Sequence, residues 1–182
     1  MKKIARLISC LAMSACVCGA FAADASAKLP ANMEEFQARF EKEAKTPEGA
    51  AKFWFEAVFL YQKGDTKALG RQMLLKLIKG LPDDFDKRNA SYAKMMERIN
   101  GNPEIFRSYC AGSSPENGYK ADIDNCEITV TSTREKAENT VDVFLQSSGS
   151  DAPRPITMTN VNGLWLATSV SSMYLQIQPA RK

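Results

Sequence analysis

Histidine is absent from all 182 residues of the chain. Its absence excludes a Ser-His-Asp or Cys-His catalytic device, a zinc site with histidine ligands, and the side chain that most often moves protons near neutral pH. Carboxylates, tyrosines, lysines and a few cysteines are the chemistry that is left. The residues therefore predict no cofactor and no metal site, and they do not identify a reaction.

Cysteine is scarce, with five in the chain. Only Cys110 and Cys126 lie beyond the apolar N-terminal segment. An exported protein meets an oxidising environment, where such a pair stays bonded. We therefore expect a Cys110–Cys126 disulfide, which would close a loop of about 15 residues and stabilise the fold by on the order of 3 kcal/mol. The alternative is a pair of buried thiols at strand ends.

No apolar run is as long as the roughly 20 residues that a membrane-spanning helix needs. The run over residues 7–22 follows three basic residues and ends in Ala20-Phe21-Ala22. That ending fits the small-x-small pattern that signal peptidase accepts. The segment therefore predicts a signal peptide over residues 1–22 and a protein exported to the periplasm or cell envelope. A retained membrane anchor is the alternative.

Cys16 allows a different interpretation of the same segment. Met13-Ser14-Ala15-Cys16 resembles a relaxed bacterial lipobox, in which the cysteine is lipidated and becomes the mature N-terminus. In that case the protein is anchored to the membrane through Cys16. The plain alternative is that the cysteines of this segment serve as small apolar residues.

Positive and negative side chains are nearly balanced in number. The chain has 24 Lys plus Arg and 21 Asp plus Glu, and residues 1–22 contain three of the bases and none of the acids. The mature chain is therefore formally neutral. Nucleic-acid-binding surfaces are normally basic and clustered, whereas here bases alternate with acids, so we exclude nucleic acid as a partner.

Beyond residue 22 the composition fits one domain. Residues 23–31 are small and polar and predict a flexible lead-in, and residues 32–180 suit a single domain with one core. Apolar residues at spacings of three and four predict helices near residues 33–40, 47–63, 66–78 and 89–99. Thr46 is the expected cap of the second helix, whose many aromatic residues make it the expected centre of the core.

After residue 103 the apolar period changes to two. Residues 126–131 and 141–146 alternate apolar and polar side chains, Ile156 and Met158 continue the pattern, and Asn162-Gly163 is a strong hairpin signal. Helices followed by strands predict an α+β fold, with N-terminal helices packed on one face of a C-terminal antiparallel sheet.

Two acidic clusters, residues 83–86 and 122–124, are the candidates for metal or acid–base chemistry. Neither has the glycine and distal glutamate of a calcium-binding helix-loop-helix. We expect the first to cap a helix and the second to form a solvated turn. The alternative function is an enzyme with a pocket between helices and sheet, working through tyrosines and carboxylates such as Asp122 or Glu127.

The most distinctive stretch, residues 107–119, is called the first loop below. Tyr109 and Tyr119 flank a glycine, a proline and Asn117-Gly118, residue types that fix turn geometry. Aromatic anchors on ordered loops often carry binding energy, so Tyr109, Asn117 and Tyr119 are candidate binding residues. The alternative is that both rings pack onto the sheet.

Residues 149–155, the second loop, hold Arg154 between two prolines. The prolines keep the backbone extended, which leaves the planar guanidinium available for a carboxylate. Asp151 of the same loop is either the ion-pair partner of Arg154 or, together with it, part of a ligand site.

The two loops also carry a family resemblance. The first contains Ser-Tyr-x-x-Gly-x-x-Pro-x-Asn-x-Tyr, at Ser108, Tyr109, Gly112, Pro115, Asn117 and Tyr119. The second contains Asp-x-Pro-Arg-Pro and is followed by Trp165 and Ser171-Ser172. With Pro47-Glu48-Gly49-Ala50-Ala51, these motifs resemble a family of uncharacterised exported bacterial proteins, a domain of unknown function. The resemblance implies one domain and a shared use of both loops, but no activity and no disulfide.

The order of elements and the Gly163-Leu164-Trp165 strand are also similar to the nuclear transport factor 2-like superfamily. That likeness implies a sheet that curls around helices to form a conical pocket. From all of these observations we expect a non-catalytic exported domain that binds an unknown protein or small ligand of the envelope through the two loops. It would contact a membrane only if Cys16 were lipidated.

Overall fold

The first two helices begin at side-chain caps, and the sequence predicts the second of them, Thr46. A computed structural model describes residues 28–87 and 91–181. The Asn32 side chain accepts a hydrogen bond from the Glu35 amide at 2.9 Å, and the Thr46 hydroxyl accepts one from the Gly49 amide at 3.2 Å. Both bonds satisfy amides that a helix N-terminus leaves unpaired. The predicted signal peptide and Cys16 lie outside the described residues.

Five α-helices occupy the first half of the described chain. They are α1 (Met33–Glu43), α2 (Pro47–Gln62), α3 (Lys67–Leu77), α4 (Ala93–Gly101) and α5 (Glu104–Arg107). The fourth begins and ends later than predicted, because Ser91 and Tyr92 form a turn and the Asn102 amide still donates to the Arg98 carbonyl at 3.0 Å. None of the described helices is long and apolar enough to cross a membrane.

Helix α2 is the centre of the core, as its composition predicts. Ten of its 16 residues are buried, including Phe53, Trp54 and Phe55. Burial on all sides requires neighbours on all sides, and α2 contacts α1, α3, α4, α5 and strands of the sheet.

The second half forms a four-stranded antiparallel sheet in the order β1-β2-β3-β4. The strands are β1 (Val130–Ala137), β2 (Thr140–Leu145), β3 (Arg154–Val161) and β4 (Leu164–Ser169). Short 3₁₀ helices lie at Ile123–Asn125 and Ser171–Tyr174. The predicted hairpin at Asn162-Gly163 is confirmed, since both residues have positive φ, 53° and 86°, as a type I′ turn requires.

One predicted strand is displaced along the chain. Residues 126–131 were expected to alternate in a strand, but β1 begins at Val130 and continues to Ala137 through exposed positions. The segment before it is occupied differently, because Ile128 bridges to Cys110 and Cys126 is bonded to Cys110. The disulfide therefore holds residues 126–128 against the first loop instead of in the sheet.

The helices lie on one face of the sheet, which confirms the α+β prediction. Paired positions of β2, β3 and β4 place Val143 opposite Ile156 and Met158 opposite Ala167, all fully buried in a common core with α2. The β4 edge is used as well: the Trp165 amide donates to the Ala44 carbonyl, and the Lys79 amide donates to the Ala167 carbonyl. The second loop connects β2 to β3, and the first loop begins at the end of α5.

Candidate functional site

The structure brings the two predicted loops together. The Ser148 amide donates to the Ser108 carbonyl at 2.8 Å, and the hydroxyls of Ser108 and Ser147 lie 2.6 Å apart. The Ser113 and Ser148 hydroxyls form a further contact at 3.1 Å. The two loops are about 30 residues apart in sequence. They are joined by hydrogen bonds between serines of the first loop and the two serines that directly precede the second loop.

A third segment, residues 175–181, closes this assembly and is called the C-terminal segment. The Gln178 amide donates to the Gly149 carbonyl at 2.8 Å, and the Arg181 amide donates to the Pro115 carbonyl at 2.8 Å. The Arg181 guanidinium also pairs with Glu116 at 2.8 Å on the surface. The sequence did not point to this segment because it has no helix or strand period and because most of its hydrogen bonds to the loops are made by backbone groups.

Tyr119 is fully buried, and its hydroxyl donates to the Gln178 carbonyl at 2.7 Å. Its burial raises the pKa of the hydroxyl. Gly149 lies so close that a Cβ atom there would be 2.3 Å from the Tyr119 oxygen. The ring therefore fastens both loops to the C-terminal segment from within, by contacts with Gly149 and Gln178.

Tyr109 is buried too, with its ring centre 4.8 Å from that of Phe55 on α2. Its hydroxyl makes no hydrogen bond to any described residue. Burial raises the Tyr109 pKa, and the nearby Arg154 charge opposes that shift only in part. With both rings buried, a binding role for the first loop would rest on its exposed polar atoms.

Arg154 is held by the second loop and the C-terminal segment. Its Nε donates to the Ser150 hydroxyl at 2.8 Å, and its two Nη atoms donate to the side chain and backbone oxygens of Gln176 at 3.1 and 3.2 Å. Asp151 is exposed and makes no ion pair with described residues. The ion-pair alternative for Arg154 and Asp151 is therefore wrong, because neutral acceptors take up the guanidinium.

Asn117 uses its side chain to shape the first loop. Its Oδ1 accepts from the amides of Ser114 and Lys120 at 3.0 and 3.1 Å, and its Nδ2 donates to the Gly112 carbonyl at 3.0 Å. The residue is exposed, so a partner could still contact it. Its three side-chain hydrogen bonds hold the turn of the first loop in one conformation.

The predicted disulfide is present, between Cys110 and Cys126. It links the first loop to the chain that leads into β1, and the Ala111 amide supports it by donating to the Glu127 carbonyl at 2.9 Å. The first loop is thus fixed at its start by the disulfide and at its end by Tyr119.

The exposed part of this assembly is mostly polar and of mixed charge, although it also includes the exposed apolar side chain of Leu175. We call it the loop surface; its exposed polar members are Glu116, Asn117, Ser148, Asp151, Gln176 and Arg181. It has an ordered backbone and several hydrogen-bonding groups, but it has no histidine or free thiol to act as nucleophile or base.

The carboxylates of the enzyme alternative lie elsewhere. Asp122 is exposed, and hydrogen bonds from the Asn125 side chain and the Asp124 amide lower its pKa. Glu127 is exposed as well. Two shallow depressions, with volumes near 160 and 340 Å³, are lined by neither of them. The enzyme stays a prediction with no geometric support.

The acidic cluster at residues 83–86 does not cap a helix. Asp86 accepts from Arg71 of α3 at 2.8 Å, and the Asp83 carbonyl accepts from the same guanidinium. The capping expectation was wrong, because these residues bind the Arg71 guanidinium of α3 instead of the amides of a helix N-terminus. Within the described ranges, no group of three acidic or cysteine side chains could hold a metal ion.

Residues 28–181 match the family described as Domain of unknown function (DUF6935). No curated protein and no solved structure matches the chain, so the nuclear transport factor 2-like analogy stays a prediction. The match covers well over half of the sequence and includes the helices, the sheet and both loops. The chain therefore belongs to the DUF6935 family, whose function is unknown.

Proposed function

We propose that this chain is a non-catalytic exported domain that binds a protein partner of the cell envelope through the loop surface. One observation carries the proposal: two loops and the C-terminal segment, far apart in sequence, are hydrogen-bonded into one ordered polar surface. A loop that only connects two helices or strands does not need hydrogen bonds to other loops of this kind. Neither depression described above is lined by loop residues, which favours a protein over a small ligand.

Rigidity is the physical advantage of this arrangement. Ordering a flexible loop on binding costs roughly 0.5–1.5 kcal/mol for each side chain that becomes fixed. Here the disulfide, Tyr119 and Asn117 have already fixed the first loop before a partner arrives. Exposed residues such as Glu116 and Asp151 can then contact the partner at little further entropic cost.

Export supports the proposal from a second direction. A disulfide between Cys110 and Cys126 persists in an oxidising compartment such as the periplasm. The apolar segment over residues 7–22 fits an export signal, and Cys16 would add a lipid anchor if the lipobox interpretation holds. We also propose that the protein is bacterial, as the family resemblance implies.

The test compares two double variants of the tagged protein in its own cells. Asp151→Arg with Ala152→Arg places two new charges on the exposed second loop, and Asp65→Arg with Ala68→Arg places the same charges near the start of α3. All four positions are exposed, so both variants should keep the melting temperature of the parent. Partners are captured by cross-linking in intact cells and identified by mass spectrometry.

We expect one protein to be captured by the parent and by the α3 variant, but not by the loop variant. Capture of the same protein by both variants would contradict the proposal. So would an absence of any captured protein from the parent, because the loop surface would then have no partner in the cell.

A further inference from the structure

A separate depression is lined by none of the predicted site residues. It is formed where the end of β4 and the following 3₁₀ helix meet the end of α3 and the start of α4, and its volume is near 160 Å³. Its apolar floor consists of Ile78, Met95 and Val170, all of which are buried. We call it the tyrosine depression, after Tyr92 and Tyr174 in its wall.

The rest of the wall consists of small hydroxyl side chains. Thr168, Ser169 and Ser171 line it and are exposed. Thr168 is already engaged, since its hydroxyl donates to the Thr157 carbonyl at 3.3 Å. The hydroxyls of Ser169 and Ser171 make no hydrogen bonds with the part of the chain that the structure describes, and neither do the two tyrosine hydroxyls. The Ser169 and Ser171 hydroxyls can therefore still form hydrogen bonds with a ligand, and they lie in the same depression as the rings of Tyr92 and Tyr174.

Charge narrows the kind of ligand. None of the described residues that line the depression is charged. A ligand with a full charge would lose water there without gaining an ion pair from these described residues, which is costly. The lining instead suits an uncharged ligand whose ring has apolar C–H faces and hydroxyl groups around its edge. The C–H faces can pack on the tyrosine rings, and the ligand hydroxyls can form hydrogen bonds with the serine hydroxyls.

We infer that the tyrosine depression binds one uncharged sugar ring, either a free monosaccharide or one unit of a longer glycan. Its volume near 160 Å³ is below the roughly 300 Å³ or more of pockets that hold drug-sized ligands. The C–H face of the ring packs on Tyr92 or Tyr174, and its hydroxyls exchange hydrogen bonds with Ser169 and Ser171. This site is distinct from the loop surface.

The test titrates the isotope-labelled protein with three probes and follows backbone amide shifts by NMR. Methyl β-D-glucopyranoside is the uncharged sugar, sodium glucuronate adds a carboxylate to a similar ring, and cyclohexanol keeps a ring but lacks most hydroxyls. We expect saturable shifts with the glucoside at Tyr92 and over residues 168–171, and weaker binding of the other two probes.

The variant Ser169→Ala with Ser171→Ala should weaken glucoside binding by about tenfold or more, since two hydrogen bonds to the ligand are lost. Ser132→Ala, which removes an exposed hydroxyl from β1, should leave it unchanged. Both variants alter exposed side chains and should stay folded. The inference is overturned if the glucoside causes no saturable shift, if cyclohexanol binds equally well, or if the double variant binds like the parent.

Discussion

Glu56 is an ionisable group held inside the helical layer. Its Oε1 accepts from the Arg39 guanidinium at 2.9 Å, while its Oε2 is buried without a partner among the described residues. Burial raises the Glu56 pKa to about 7, which the attraction of Arg39 offsets only in part; the charges of Glu43 and Glu35 add to the rise. Arg39 also holds Glu43 and the Lys28 carbonyl.

This residue predicts a pH dependence of stability. Because its pKa is higher in the folded chain, Glu56 contributes stability that is fully present below its ordinary pKa near 4.5 and is lost as pH rises towards 7. We expect the free energy of unfolding to fall by up to about 3 kcal/mol across that window. Urea unfolding at a series of pH values measures it.

Two variants separate the effect of Glu56 from other titrations. Glu56→Gln should remove most of the slope between pH 4.5 and 7, since its amide does not ionise. Glu34→Gln removes an exposed carboxyl of α1 and controls for the loss of one negative charge. If Glu56→Gln and the parent protein lose stability in parallel, Glu56 does not carry the slope.

At the residue scale the sequence predicted the Thr46 cap and the Asn162-Gly163 turn correctly, the role of residues 83–86 wrongly, and side-chain partners poorly. Thr46 and Asn162-Gly163 act through neighbours in sequence, so their roles follow from local chemistry. Tyr119 and Arg154 depend on Gln178 and Gln176, whose positions are set by the whole fold. No local pattern could therefore tell a buried tyrosine from an exposed one.

Helices α2 and α3 approach each other closely at Gly70. A Cβ atom at Gly70 would lie 2.2 Å from the Tyr61 amide nitrogen and 2.7 Å from the Ala57 carbonyl oxygen. Both are backbone atoms of α2 and cannot turn aside as a side chain would. The two helices pack this closely only because position 70 is glycine.

Gly70→Ala should therefore destabilise the protein, by about 1–3 kcal/mol for an overpacked core position. Gly64→Ala is a matched control, because Gly64 lies in the turn between the same helices and no atom comes within 4 Å of its added Cβ. We expect the control to shift the melting temperature little. Thermal unfolding of the two variants beside the parent decides between them, and equal melting temperatures would contradict the packing argument.

Elements with a strong apolar period were predictable, and elements without one were not. The period of Phe36 and Phe40 in α1 and the burial of α2 follow from the sequence because their apolar residues must face the core. Strand β1 has seven exposed residues after Val130, so it has no such period. Its position is set instead by pairing with β2 and by the Cys110–Cys126 disulfide.

Across the whole molecule, the end of the described chain returns to its middle. The C-terminal segment supplies the acceptor for the Tyr119 hydroxyl, two oxygens for Arg154 and two amides for the loop carbonyls of Gly149 and Pro115. These contacts span 22 to 66 residues of sequence. The loop surface is thus a property of the complete fold and does not exist in either half alone.

Deletion of residues 176–182 should open the loop surface without dissolving the core. Five hydrogen bonds are lost and the buried Tyr119 hydroxyl is left unpaired, which should cost about 3 kcal/mol or more. The first loop should then be cut by a protease under conditions in which the parent resists, because a loop without its fastenings opens more often.

Gln178→Ala is the matched control for this deletion. Both hydrogen bonds of Gln178 are made by its backbone, so alanine retains them. The control should therefore melt and resist proteolysis like the parent, while the deletion should lower the melting temperature and expose residues 112–118 to cleavage. If the deletion variant is as resistant as the control, the C-terminal segment merely lies on the loops, and their order comes from the disulfide and Asn117 alone.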